Sequence, residues 1–321
     1  MFRICILIVT GLLALHSTAA VAQTYPNKPI RMILPFPPGA PSDIVGRAMA
    51  QKLSEQLGVN VIADNRVGAG GNLGISLAAK SPPDGYTIMT TSPSIAISPV
   101  LYKNTGYDAQ RDLVAIARFA SIENVMVVHP SVPVKTLRQF IDLARKQPGK
   151  LNYGSGGAGT TNHLANELLK TLENLNIVHV PYKGATVATV ALMGGEVDQV
   201  VVSVASILSQ IRAGKLRAIV VLSEKRVPTL PEVPTSTEAG VPAFRMSIWF
   251  GLLGPARLPP EIIAKLNQES LKALASPDLL QRFAGAGVDP WPGTPEQMDQ
   301  LIRSETARYA KIAEKAGLKK E

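Results

Sequence analysis

The chain is 321 residues long, with a formal charge of +9, one cysteine and only 5% aromatic residues. Such a length normally holds two domains and a full hydrophobic core. The cations are scattered and the aromatics few, which excludes a basic groove lined with stacking rings, and with it nucleic acid as a partner.

"MFRICILIVTGLLALHSTAAVAQ" carries one cation, Arg3, then an apolar run from Ile4 to Leu15, and closes on Ala20-Val21-Ala22. That is the layout of a secretory signal peptide cleaved after Ala22, so residues 1–22 are set apart from the fold. The apolar run falls short of the roughly 20 residues that cross a bilayer. Cys5 leaves with the signal, and the exported chain is expected to use no disulfide, thiol nucleophile or thiolate ligand.

Strand and helix patterns then alternate. "IRMILPF" (30–36) reads as a strand and "SDIVGRAMAQKLSEQLG" (42–58) as an amphipathic helix, with Ser42 as N-cap and Gly58 as the stop. "VNVIADN" (59–65) is a strand. "GAGGNLGISLAAKSPPDGY" gives a Gly-rich loop, a short helix and a turn, and "TIMTTS" (87–92) a third strand. A second series starts near residue 120. It runs through a strand in "ENVMVVHP", a helix in "VKTLRQFIDLARKQPGK", the strand "KLNYGS" and a helix from about Thr161. "LNIVHVPYKG", a short helix over 185–193, the strand "DQVVVSV", a helix over 206–213 and "LRAIVVLS" complete it. Residues 227–247 are Pro-rich and irregular. "IWFGLLGPA" is a strand that sends Trp249 and Phe250 to the core, and helices over 260–275, 277–286 and 294–316 end the chain. Two such series imply two α/β lobes with mostly parallel sheets. Ligands of these sheets sit beyond the carboxyl ends of the strands, near helix N-termini.

The loops at those ends carry the candidate chemistry. In "NYGSGGAGTTNHLANELL" (152–169), Gly154, Gly156 and Gly159 spell G-x-G-x-x-G. A dinucleotide site also wants an acid about 20 positions on, at the end of the next strand. Here that strand ends on Pro181, Tyr182 and Lys183. Two readings stay open, a flexible connection and the favoured one, an anion cradle of glycine amides and a helix dipole with the Ser155, Thr160 and Thr161 hydroxyls. "PFPPGAPSD" (35–43) repeats the design with the amides of Gly39, Ala40, Ser42 and Asp43, where Asp43 serves either the ligand or the helix dipole. "TSPSIAIS" (91–98) adds Ser92 and Ser94, and "NRVGAGGN" (65–72) either joins the site or is a plain turn. Neutral donors recurring in several loops suit a carboxylate that is bound without being transformed. No catalytic, cofactor or metal site is expected. G-x-S-x-G, H-E-x-x-H and the P-loop pattern are absent, and His129, His163 and His179 are not clustered in the sequence. His163 is the best lone histidine for ligand contact.

Taken in order, "YPNKPIRMILPFPPGAPSDIVGR", "NRVGAGGNLG", "SPPDGYTIM", "GKLNYGSGGAGTTNHLANELL", "IVHVPYKG", "AGKLRAIVV", "LPEVPTSTEAGVP" and "WFGLLGPA" resemble the Bug (TctC-like) family. These are periplasmic solute-binding proteins of tripartite tricarboxylate transporters, and the resemblance runs from about Tyr25 to Lys319. It implies a type II periplasmic-binding-protein fold, two α/β lobes joined by crossing hinge segments. Lobe 1 would take 23–122 plus 245–321 and lobe 2 residues 123–244, with the return inside 224–247. It implies a monomeric periplasmic receptor that closes on a small organic carboxylate and hands it to the membrane components of a transporter. A ligand-presenting sensor and an exported enzyme are the alternatives. Carried over by motif, the first-lobe contacts are Phe36, Gly39, Ala40, Ser42, Asp43, Ser92 and Ser94. The second-lobe contacts are Ser155, Gly157, Thr160, Thr161, Tyr182 and Ser203. Two positions depart from the family pattern. Gly39-Ala40 stands where Gly-Gly is usual, so a methyl should narrow the cradle or alter its backbone. Val202-Ser203 stands where Asp-Asn is frequent, which points away from amino acids and towards simple or aromatic carboxylic acids.

Overall fold

The structure, a computed structural model, describes residues 25–157, 160–318 and 320. The expected signal peptide, Gly159 of the glycine motif and Lys319 lie outside the described residues. The first half alternates as β1 (Ile30–Leu34), α1 (Pro41–Leu57), β2 (Val61–Asn65), α2 (Asn72–Ala79), β3 (Thr87–Thr91), α3 (Ser94–Leu101) and β4 (Leu113–Ile122). Glu123 alone separates β4 from β5 (Asn124–Val128). Then come α4 (Leu137–Lys146), β6 (Asn152–Ser155), α5 (Thr161–Glu173), β7 (Val178–Pro181), α6 (Ala185–Met193), β8 (Gln199–Ser203), α7 (Val204–Arg212) and β9 (Arg217–Val221). After an irregular return the chain forms β10 (Ile248–Pro255), α8 (Pro260–Leu274), α9 (Pro277–Gly285), β11 (Asp289–Gly293) and α10 (Pro295–Lys315).

Two sheets result, in the orders β11-β4-β10-β3-β1-β2 and β7-β6-β8-β5-β9. Their logic is the same. In each, the antiparallel strand beside the third one, β10 or β5, is the strand formed directly after the chain crosses from the other sheet. This shared order is that of the type II two-lobed binding proteins. Because β10 runs antiparallel to both β3 and β4, the C-terminal end of β4 lies at the same edge as those of β1 and β3. From that edge Glu123 leads straight into β5, whose first residue, Asn124, pairs with Ser203 at the end of β8. The loop-bearing edges of both sheets therefore meet at the crossing segments, which is where α/β sheets take their ligands.

Apolar packing fills the faces of both sheets. One cluster fills the first sheet's outer face from α1, α8 and α9, and another fills the second sheet's from α6 and α7. A third runs across both lobes, and α10 is its strap: it packs on α3 and β4 of one lobe and α5 of the other, burying Tyr309, Ile312 and Ala313. Trp249 and Phe250 are buried as their strand pattern requires, on opposite faces of β10.

Three local expectations need correction. The N-cap of α1 is Ala40, not Ser42. Pro41 takes the first helical position, where its fixed φ fits and no N–H is lost, and pushes Ser42 inside the first turn. Ser94–Leu101 is a helix rather than a loop, with Pro99 inside it. Helix α7 starts at Val204, which makes Ser203 its N-cap residue. Gly58 closes α1 in the left-handed region, as expected.

Candidate functional site

The first-lobe loop joins β1 to α1. Its fixed point is Asp43, buried in the first turn of α1. The carboxylate accepts the Gly39 N–H at 2.9 Å, Arg47 Nε at 2.9 Å and Asn65 Nδ2 at 2.8 Å. Asn65 Nδ2 also donates to the Phe36 carbonyl at 2.8 Å, and the Asn65 carbonyl oxygen receives Arg47. Asp43 thus braces the loop, and it takes up the Gly39 amide that sequence reasoning offers to the ligand. Gly39 sits at φ 82°, a region that favours glycine, whereas Ala40 has an ordinary φ of −65°. The Ala40 methyl therefore leaves the backbone angles of the loop unaltered. Phe36 leans on Gly71, where an added Cβ would come within 3.2 Å of the ring, so the glycine loop before α2 is a packing surface for the site loop. Ser42 is buried and its hydroxyl makes no hydrogen bond to a described residue, while Ser92 and Ser94 share one at 3.1 Å.

The second-lobe loop joins β6 to α5. Ser155 Oγ lies 2.6 Å from His179 Nε2, accepts the Gly157 N–H at 3.1 Å and stands 3.3 Å from the Gly157 carbonyl. Thr160 caps α5 by accepting the His163 amide, and its own hydroxyl donates to the Gly157 carbonyl at 2.7 Å. Tyr182 donates its backbone N–H to the Ser155 carbonyl at 3.0 Å, which sets the β7 exit beside this loop. Thr161, at the first position of α5, and Ser203, the N-cap residue of α7, are half-buried. The expected contacts thus form two groups, each at the carboxyl ends of its own strands, and no hydrogen bond among the described residues joins one group to the other.

The histidines overturn the expectation of scatter. His163 and His179 stack with ring centroids 4.3 Å apart, and Tyr153 stacks on His179 at 4.8 Å. Parallel pairing sets Tyr153 beside His179 in register, and the first turn of α5 lays His163 against them. Burial lowers both imidazoles from their ordinary range, His163 to about 4, with Lys170 adding to the effect and Glu167 opposing it. His179 carried no sequence signal, because a β6–β7 register is needed to see it. The Ser155–His179 pair has the composition of a nucleophile and a base, yet Ser155 is only 1% exposed, and among the described residues the only hydrogen bond of the His179 ring is to Ser155. Burial of Ser155 opposes its use as a nucleophile.

The crossing adds residues that sequence reasoning missed. Glu123 accepts the Ser247 hydroxyl at 2.7 Å, tying the outward crossing to the return, and burial raises its carboxyl from the ordinary value. Asn124 Nδ2 donates to the Met246 carbonyl at 2.8 Å. A cavity of about 840 Å³ opens here, bounded by Glu123, Trp249, Asp289 and Arg308 of α10. None of the loop residues above lines it, so it is separate from the expected ligand site. Among the described residues no helix is long and apolar enough to cross a membrane, and no group of three or more His, Cys, Asp or Glu could hold a metal.

Two α/β lobes of type II order, with donor loops where their edges meet, define a solute-binding receptor. The model of the tripartite tricarboxylate transporter family receptor (TctC) matches residues 45–318, and the chain belongs to that family of periplasmic receptors. A Pseudomonas protein of the tcbD-tcbE intergenic region is 38% identical, covering 94% of this chain and 90% of its own length. The BugT protein of Bordetella pertussis is 36% identical, with 93% and 92% covered. An R. palustris protein solved with adipate superposes with a TM-score of 0.81 at 33% identity, over 92% of this chain and all of its own. MatC from Rhodopseudomonas palustris, solved with bound malate, gives 0.77 at 28% identity, over 90% and 99%.

Proposed function

We propose that the mature protein is a periplasmic receptor that closes its lobes, residues 23–122 with 245–321 and residues 123–244, on a small organic carboxylate. It then delivers the ligand to the membrane components of a tripartite tricarboxylate-type transporter and works as a monomer. The observation that carries this reading is the convergence of two loop edges, each opening onto helix N-termini that favour an anion. The relatives solved with adipate and malate support the ligand class. In the first lobe the free Ser42 hydroxyl, with Ser92 and Ser94, is the donor set. In the second it is Thr161, Tyr182 and Ser203. Gly39, Asp43, Ser155, Gly157 and Thr160 shape the loops that present them.

The ligand is a carboxylate without an amino group. Asp43 is the sole acid among these loop residues, and three donors already occupy it. No unpaired carboxylate is left among these described loop residues to receive an ammonium, Ser203 brings none, and the carboxylate beside Tyr182, Glu196, is engaged with its hydroxyl. The test is a thermal melt of the mature protein against mono-, di- and tricarboxylates and amino acids. A ligand at 100 times its Kd adds about 2.7 kcal/mol. A panel in which no carboxylate raises the melting temperature removes the reading.

A further inference from the structure

Ser155 has one proton and two lone pairs, and the structure gives it three polar neighbours. The Gly157 N–H at 3.1 Å can only donate. If Ser155 donates to a bare His179 Nε2, the Gly157 carbonyl at 3.3 Å faces a second acceptor with no proton between them. If His179 instead carries its proton on Nε2 and donates to Ser155, the serine hydroxyl turns to that carbonyl. All three contacts are then hydrogen bonds, and one side chain holds both polar groups of Gly157.

We propose that His179, protonated on Nε2, is the positioning residue of the second-lobe loop, acting through Ser155 to set Gly157 and the start of α5 in the shape that receives a carboxylate. The imidazole is held for this task. The rings of Tyr153 and His163 both pack against it, with interplanar angles of 14° and 25°, and lie 6.4 Å from each other. The Tyr153 hydroxyl is fixed in turn by Glu167 at 2.5 Å, and Glu167 by Lys170 at 2.7 Å. Tyr153 from β6, and His163, Glu167 and Lys170 from α5, are the titratable groups facing His179. The Glu167–Lys170 pair leaves the stack without net charge, so at neutral pH the position of one proton, rather than a charge, sets the loop. Gly157 needs its glycine for this: it sits at φ 116°, where a side chain is strained. The ligand half of the proposal rests on the receptor reading above, and the loop half does not.

The experiment is nitrogen-15 NMR of histidine-labelled mature protein without ligand, with His179 assigned by His179→Phe. The expected spectrum at pH 7 shows His179 with a protonated Nε2 and a bare Nδ1, and the reverse tautomer overturns the proposal. Amide exchange at Gly157 gives an independent readout. Phe keeps the stack and removes the donor, so exchange should quicken at least tenfold. His179→Gln restores an N–H donor and should bring it back to within about threefold of the wild type. Equal exchange in all three proteins also overturns the proposal. Should the Phe variant fail to fold, the wild-type tautomer and the Gln variant still decide. The expected tautomer together with a flat carboxylate melt panel would leave the positioning role standing and remove the ligand reading alone.

Discussion

The two site loops solve one problem with different chemistry. Each must hold a left-handed glycine just before a helix, Gly39 before α1 and Gly157 before α5. In the first lobe a carboxylate takes the glycine amide and is held by Arg47 and Asn65. In the second a serine hydroxyl takes it and is held by an imidazole in an aromatic stack. Asp43 and Ser155, two of the side chains that look like ligand contacts in sequence, hold their own loops in the fold.

Breaking the first brace should have the largest effect. Asp43→Ala strips three donors of their acceptor and is expected to cost about 2–3 kcal/mol in urea unfolding. A cost under about 1 kcal/mol would mean that the loop holds itself. Acid probes the second brace. His163 titrates near 4 when folded and near 6.5 when unfolded, so between those values the unfolded chain binds more protons. The stabilisation is complete above about pH 6.5 and is lost as pH falls towards 4, on the order of 2–3 kcal/mol. Hydrogen exchange should show the loss concentrated in β6, β7 and α5, and uniform loosening of both lobes would contradict this assignment. The smallest effects separate the two residues that lead into α1. Gly39→Ala forces a side chain to φ 82° and should cost about 1–2 kcal/mol. Ala40→Gly should stay within about 0.5 kcal/mol, because Ala40 is unstrained. Equal costs at both sites would erase the distinction.

What was legible in the sequence was what is local. The αβ alternation, the Gly58 stop, the α6 span of 185–193 and the Pro-led starts of α8 and α10 all follow from periodicity and capping within a few residues. Helix α3 was hidden by Pro99, and strand β4 by Arg118 in mid-strand. That guanidinium lies 3.9 Å from the Trp291 ring and bonds the Trp291 and Pro292 carbonyls, partners far along the chain. Glu123 is placed at the crossing between the two sheets only once β4 and β5 are known to abut. The site divides in the same way. Glycine and hydroxyl loops at strand ends are readable, but Asp43 as a brace needs Asn65, and Ser155 as a brace needs His179. The resemblance to the receptor family carried the fold further than the periodicity did, and the family match over residues 45–318 bears it out.

The central claim is that the cleft takes a carboxylate and has no place for an amino group. Titration calorimetry of matched pairs tests it directly, with succinate against aspartate and adipate against its 2-amino analogue. The account predicts that in the pair whose chain length fits, the plain dicarboxylate binds at least tenfold more tightly, a difference of about 1.4 kcal/mol. Equal or tighter binding of the amino-bearing partner would contradict it.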